Sequence, residues 1–392
     1  MKKKVKISFI GLALLLLLTA CAPKFDKQEE VVQNSETKKE KAIIPKYKIS
    51  DEYYRTTLPF EPGQARGMVV ANLNTRYDIN EFETGLMRVA QNEFDPDKYL
   101  FREGQFLDRK TVELWLNRKF TKEQLKSQGL TDKENIGLNP LDPGKGDIDK
   151  RNQENPIYLA HVLEHDYLVK TDKNTVSLGG VVIGLAMNSV HYYKKEDYGA
   201  DYETQIPKSV LLSEGKKIAA EVLQRLRKMD GLSNVPITIA LFEQAPKTSA
   251  VPGNFVSYAS AGEGDTSLGG WKGINEKYVL FPPPKTGDKN REDVNSFLNF
   301  KQDVEKYFPN FNGVIGRAFY ADDQLQSLNI TIPIQFYGKA EAIGFTQYVT
   351  GLVMQHFADY ISVEVDINSV NGPEALIVRK PQDKEPFVHI YE

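Results

Sequence analysis

The chain has 392 residues with a formal net charge of −3, 41% hydrophobic and 26% charged residues, and a single cysteine. One cysteine excludes a disulfide framework, so the body must be stable from its apolar core alone, which a chain of this length can build as two domains of ordinary size. The acidic balance excludes a nucleic-acid binder, since a net negative surface repels phosphate backbones.

The first 21 residues set the compartment. Lys2, Lys3, Lys4 and Lys6 precede an apolar run from Ile7 to Leu18, followed by Thr19, Ala20 and Cys21. That is the basic, apolar, small-residue order of an export signal, and it is too short for a span, which takes about 20 apolar residues. Leu18-Thr19-Ala20-Cys21 matches the bacterial lipobox. A thiol is nucleophilic enough to take a diacylglyceryl group, and the small Thr19 and Ala20 let signal peptidase II cut just before Cys21. Residues 1–20 are thus expected to be a signal peptide, and removing their four lysines leaves the chain at −7. Attachment to the membrane then falls to lipid on Cys21, at roughly 0.8 kcal/mol per buried CH₂.

Residues 21–50 are rich in Lys, Glu, Gln and Ser and poor in large apolar residues, a composition that cannot offset its own ordering entropy. They read as a flexible charged tether reaching roughly 30 Å. The body begins at 51. Phe82, Leu86, Val89 and Ala90 give helical spacing across 79–94, Asp108 caps a second helix through Val112 and Trp115, and Thr121 with Gln124 forms a capping box for a third. Pro, Gly and Asn across 136–156 predict a long surface loop.

Two stretches then repeat one order of elements, strand, strand, helix, strand, strand. The first runs through 180–187, 202–206, 213–229, 235–242 and 255–258; the second through 313–320, 328–334, 339–357, 361–367 and 376–378. Val363, Val365 and Ile367 alternate with Glu364, Asp366 and Asn368, as in a strand with one face on a core and one in water. The fold class is α+β, two tandem β-β-α-β-β repeats with mainly antiparallel sheets after a small helical N-terminal region. A parallel sheet in either unit contradicts this arrangement. The divisions are 51–260 for the N-terminal region and first repeat, 261–310 for a linker and 311–392 for the second repeat. The glycines between Ala261 and Gly270 lack the lysine and following helix of a phosphate-binding loop. No cofactor motif is present.

The sharpest catalytic pattern is His161-Val162-Leu163-Glu164-His165, the H-x-x-E-H string. On a helix it would hold zinc between two histidines, with the glutamate as general base of a hydrolase. However, Ile157, Leu159, Leu163, Tyr167 and Val169 fall on alternate positions, which predicts a strand. Four residues along a strand separate the histidines by about 13 Å, too far to share a metal. The strand reading assigns no catalytic residue and no metal. His191, His356 and His389 stand apart and read as structural. No Gly-x-Ser-x-Gly occurs, and the doubly wound alternation of transporter substrate-binding proteins is absent.

Two runs, 77–88 (Tyr-Asp-Ile-Asn-Glu-Phe-Glu-Thr-Gly-Leu-Met-Arg) and 177–189 (Ser-Leu-Gly-Gly-Val-Val-Ile-Gly-Leu-Ala-Met-Asn-Ser), together with the lipobox and the doubled body, give the chain its kinship: it resembles the CamS family of sex pheromone precursor lipoproteins of Gram-positive bacteria. The resemblance implies a surface lipoprotein whose cleaved signal can be trimmed to a short apolar peptide sensed by donor bacteria, here Ala13 to Ala20 or Leu14 to Ala20. The body is expected to be a binding module for a peptide, glycan or protein ligand rather than an enzyme.

Overall fold

A computed structural model describes residues 30–34, 41–45, 48–50, 52–171, 175–284, 290–307 and 313–392. Leu18, Thr19, Ala20 and Cys21 lie outside the described residues. No helix among the described residues is long and apolar enough to cross a membrane.

In chain order the elements are β1 (Glu30–Asn34), β2 (Lys41–Ile44), β3 (Arg55–Thr56), α1 (Val69–Asn72), α2 (Arg76–Ala90), β4 (Tyr99–Glu103), α3 (Arg109–Leu116), α4 (Lys122–Gln128), α5 (Ile148–Glu154), β5 (Leu159–Lys170) and β6 (Thr175–Asn188). There follow β7 (Val190–Lys194), β8 (Asp201–Gln205), α6 (Lys208–Leu226), β9 (Ile237–Gln244), β10 (Asn254–Ala261) and β11 (Lys272–Gly273). The last third holds β12 (Glu276–Phe281), α7 (Arg291–Tyr307), β13 (Ile315–Ala321), β14 (Gln324–Pro333), α8 (Lys339–His356), β15 (Ser362–Ser369), β16 (Gly372–Arg379) and β17 (Phe387–Ile390).

The fold is α+β, with two large sheets whose pairings are mainly antiparallel. The first has the order β11-β10-β9-β6-β5-β4-β3, and the second β12-β13-β14-β15-β16-β17. Each has a parallel pair at its centre, β6 with β9 and β14 with β15, because a helical crossover (α6 or α8) returns the chain in the same direction, and the first sheet has two further parallel pairs, β3 with β4 and β1 with β6. The tandem repeat drawn from the sequence therefore needs correction. Residues 202–206 leave the first sheet for a separate β7–β8 hairpin, so the strand that leads into α6 within that sheet is β6.

Other boundaries shift for identifiable reasons. Thr75 caps α2 by accepting from Asp78 N–H, which starts the helix at 76 rather than 79. Asp108 and the Thr121–Gln124 box cap α3 and α4 as their sequences require. The expected loop at 136–156 contains α5, capped by Asp147, and the expected linker at 261–310 contains β12, an edge strand of the second sheet, and α7, which packs on that sheet. Within the expected tether, β1 and β2 pair with each other, and β1 runs parallel to β6 at Thr175 and Val176.

The two sheets are covered differently. In the first, Val181, Ile183, Leu185 and Ile239 pack under α3 and α6, while Val182, Ala186, Phe242 and Phe255 pack under α2. Both faces are buried. Gly184 permits the close approach of α2, since a Cβ there would meet the Phe82 ring at 2.9 Å. The second sheet buries Ile330, Ile332, Val363 and Val365 under α7 and α8, and its other face carries the half-buried Glu364 and Asp366.

Candidate functional site

A cavity of about 320 Å³ opens where β4 ends beside the middle of β5. Its wall comes from four segments far apart in sequence: 63–70, the α2 side chains Ile79, Glu83 and Met87, the stretch from Phe101 to Val112, and 161–165. Gly104 ends the β4 pairing. Its N–H donates to the Glu164 carbonyl at 3.1 Å, and a Cβ there would meet the Glu164 side chain at 2.5 Å, so the chain turns away under a residue that needs no side chain.

All three residues of the H-x-x-E-H string line this cavity, and all sit on β5, as the alternating pattern requires. A strand sends successive side chains to opposite faces. His161 and His165 lie on the α2 side, where their rings meet Phe82 and Phe101 edge-on at 6.2 and 4.9 Å. Glu164 lies on the other side, where its carboxylate accepts from Phe106 N–H at 3.1 Å and Leu107 N–H at 2.7 Å and fixes the loop after Gly104. The base of the zinc reading is therefore turned away from both histidines and engaged by backbone donors. The described residues hold no cluster of three or more His, Cys, Asp or Glu able to take a metal ion.

Burial sets the charge state of the floor. His161 and His165 are held neutral, their pKa values pushed down to about 4 and about 3 because a charged imidazole is poorly solvated there. His161 Nδ1 is 3.1 Å from Asn72 Nδ2, whereas His165 Nδ1 is sealed from solvent without a hydrogen-bond partner, in a side chain only 3% exposed. Burial pushes the Glu164 carboxyl up against the pull of its backbone donors. Next to it Asp166 pairs with Arg102 Nη2 at 2.8 Å, a buried pair in which burial and the Glu164 charge raise the Asp166 carboxyl well above the usual range. Glu83, Glu103 and Arg66 stand at the mouth, with Arg66 Nε 3.7 Å from Glu103.

A second, polar hollow of about 200 Å³ lies between α2 and the second sheet. Arg88 of α2 reaches Glu276 of β12 with two hydrogen bonds of 2.9 and 2.7 Å, and Glu81 accepts from both Arg88 and the Tyr278 hydroxyl at 2.5 Å. The Arg88 guanidinium also covers Phe319 at 4.7 Å. This network ties the second sheet to the helix that covers the first.

The remaining histidines have local partners. His191 Nε2 is 2.9 Å from Asn152 Oδ1, His356 Nε2 is 2.8 Å from Asp303 Oδ2, and the His389 ring meets Tyr391 edge-on. Arg66, Glu83, Phe101 and Gly104 complete the cavity and carry no sequence pattern that marks them. The break of strand spacing at Gly104 is the one local sign that β4 stops short of the full length of β5.

Comparison with known proteins bears on the whole body. A search of curated proteins returns no match. The crystal structure of a sex pheromone precursor from Lactobacillus salivarius subsp. salivarius superposes with a TM-score of 0.79 at 34% identity, covering 88% of this chain and 98% of that one. The C-terminal domain of the sex pheromone staph-cAM373 precursor from Staphylococcus aureus gives 0.71 at 37% identity, covering 82% of this chain and 98% of that domain. The model of the family described as CamS sex pheromone cAM373 precursor matches residues 60–385, and the chain belongs to that family.

Proposed function

We propose that the protein is exported, cut before Cys21 and held on the outer face of the cell membrane by lipid on the Cys21 thiol, that its signal yields a short apolar peptide, and that its body is a binding module rather than an enzyme. The anchor rests on Leu18-Thr19-Ala20-Cys21 directly after the apolar run. Lipid there replaces the charge attraction that an acidic protein lacks. Ala13 to Ala20 or Leu14 to Ala20 is far too short to remain as a span once trimmed, so the fragment leaves the membrane. A synthetic peptide of either sequence tests this reading directly by whether donor bacteria respond to it.

The observation that carries the binding role is the cavity beside β5, with apolar walls and a buried imidazole that has an unpartnered nitrogen. Apolar walls with a few polar groups are the usual make-up of a ligand site. The matching order of pairings across the two sheets (antiparallel, antiparallel, parallel, antiparallel, antiparallel from β4 to β11 and from β12 to β17) supports reading the halves as copies of one unit. In that reading α3 and α6 correspond to α7 and α8, and α2 is an addition to the first copy.

Cys21→Ser is expected to abolish fatty-acid labelling and leave the signal uncut. Labelling of the serine variant, or wild-type protein in the aqueous phase of a detergent split, contradicts the anchor. For the body, purified protein is expected to hold no stoichiometric zinc after dialysis. One zinc per chain, lost in His165→Ala, makes a hydrolase at the outer membrane face the better reading.

A further inference from the structure

The α2 side of the cavity is a stripe of three residues one helical turn apart, Ile79, Glu83 and Met87. Its flanking positions are apolar, and a carboxylate stands in the middle. Glu83 makes no hydrogen bond or ion pair with the described residues. At the same mouth Glu103 is already engaged: its carboxylate accepts from Gly63 N–H at 2.6 Å and lies 3.7 Å from Arg66 Nε. The Arg66 guanidinium also covers the Phe60 ring at 5.2 Å. Among the described residues Arg66 is the one Lys or Arg in the cavity lining, so two carboxylates share one cation and a negative charge is left uncompensated. The surrounding walls and the Glu103 charge push the Glu83 carboxyl up, and Arg66 pulls it down. Solvent reaches all of these groups. The Arg66 and Glu103 side chains are 58% and 27% exposed, Val70 beside them is 66% exposed, and Glu83 is exposed as well.

We propose that the cavity takes a small apolar molecule with one ammonium group, a free amine or the amino terminus of a peptide, held by Glu83 and Glu103 at the mouth with its apolar part along Ile79, Met87 and Leu163. The charge at the mouth selects this class. An anion meets two carboxylates, a neutral molecule leaves Glu83 without a counter-charge, and a metal ion lacks a cluster of three acidic or histidine ligands among the described residues. An ammonium brings three donors and a full charge, and its hydrogen bonds to carboxylates are of the strong, charge-assisted kind. The apolar walls and the volume of about 320 Å³ suit a molecule of side-chain size behind that head group. The proposal rests on the binding-module reading and names its ligand class.

The test uses the mature lipoprotein in phosphatidylcholine nanodiscs and the probe 2-(4-fluorophenyl)ethylamine, titrated at pH 7 and read by fluorine NMR line broadening against empty nanodiscs. The amine is expected to bind about tenfold tighter than its neutral counterpart, 2-(4-fluorophenyl)ethanol. Glu83→Gln is expected to remove that preference and leave the alcohol unchanged. Arg66→Gln, which takes away the competing cation, is expected to tighten the amine about threefold. Both positions are exposed, so both variants are expected to fold. If circular dichroism shows otherwise, the comparison of amine with alcohol on wild type decides without a mutation. Equal affinity for the two probes on wild type, or an amine preference that survives in folded Glu83→Gln, overturns the proposal. If the alcohol binds as tightly as the amine and Ala65→Phe, which fills the cavity, abolishes both, the amine class falls and the binding module stands. If neither probe binds wild type, the cavity falls as a ligand site together with the proposal. Displacement of the bound amine by Leu-Thr-amide and not by its N-acetyl form assigns the ammonium to a peptide amino terminus, and displacement by neither assigns it to a free amine.

Discussion

The first sheet is buried on both faces and the second on one, and the difference traces to α2. Its apolar stripe, Phe82, Leu86 and Val89, closes the face of the first sheet that α3 and α6 leave open, while its polar side offers Arg88 and Glu81 to β12 of the second. One helix thus serves as core for one half and as a bracket for the other. The cavity lies where that cover is incomplete, at the β5 edge between α1, α2 and the loop that Glu164 fixes. The cavity beside β5 thus belongs to the doubly covered half, and the polar hollow lies between α2 and the second sheet.

The largest test of this contrast is truncation on the two outer faces. Phe82→Ala, which removes a fully buried ring packed on Phe242 and Phe255, is expected to cost about 3–5 kcal/mol in urea unfolding. Val378→Thr on the bare side of the second sheet is expected to cost under about 1 kcal/mol. Equal costs would mean that the second face is covered in solution.

Next in size is the buried Arg102–Asp166 pair of the first sheet. Arg102→Met leaves Asp166 without its partner, at a cost of about 3 kcal/mol at neutral pH. The cost is expected to shrink on acidification, because the raised Asp166 carboxyl then takes up a proton and becomes neutral. A penalty independent of pH would contradict a charged Asp166 at neutral pH.

A smaller effect concerns pH and the two cavity histidines. Their folded pKa values lie below the unfolded one, so between about 6.5 and about 4 the unfolded chain binds the extra protons and stability falls as pH falls. From pH 7 to pH 5 each contributes a loss of about 1–2 kcal/mol. Glu81 and Glu164, with raised pKa values, act in the opposite sense. The contribution is therefore isolated as the change of slope in His165→Phe, whose stability between those pH values is expected to fall less than that of wild type. An unchanged slope would mean that His165 is solvated.

Comparable in size is the bracket. Arg88→Met is expected to cost about 1–3 kcal/mol, since it leaves the buried Glu81 without its cation, and to separate the melting of the two sheets in calorimetry. A single unbroken transition would mean that the sheets are joined by more than this network.

Much of this was legible in the sequence. Alternation across 157–169 placed the histidines on a strand and removed the zinc geometry, and Asp108 and Thr121 marked two helix starts by their capping chemistry. Other features carried a sign that went the other way. The unbroken apolar run from Gly179 to Met187 is the pattern of a strand buried on both faces. Val294, Phe297, Phe300 and Val304 hold helical spacing inside the stretch read as a linker. α5, with the sequence Ile-Asp-Lys-Arg-Asn-Gln-Glu, has no apolar stripe and is set by its Asp147 cap. The cavity itself was not legible, because its wall joins four segments that only the folded β4–β5 edge brings together.

The most direct test of the non-enzyme reading of the β5 histidines is a long-range proton–nitrogen spectrum of the His165 imidazole at pH 7, recorded before and after one equivalent of zinc is added. A neutral ring whose nitrogen shifts stay in place with zinc is expected. A charged ring, or shifts that move with zinc, would contradict it.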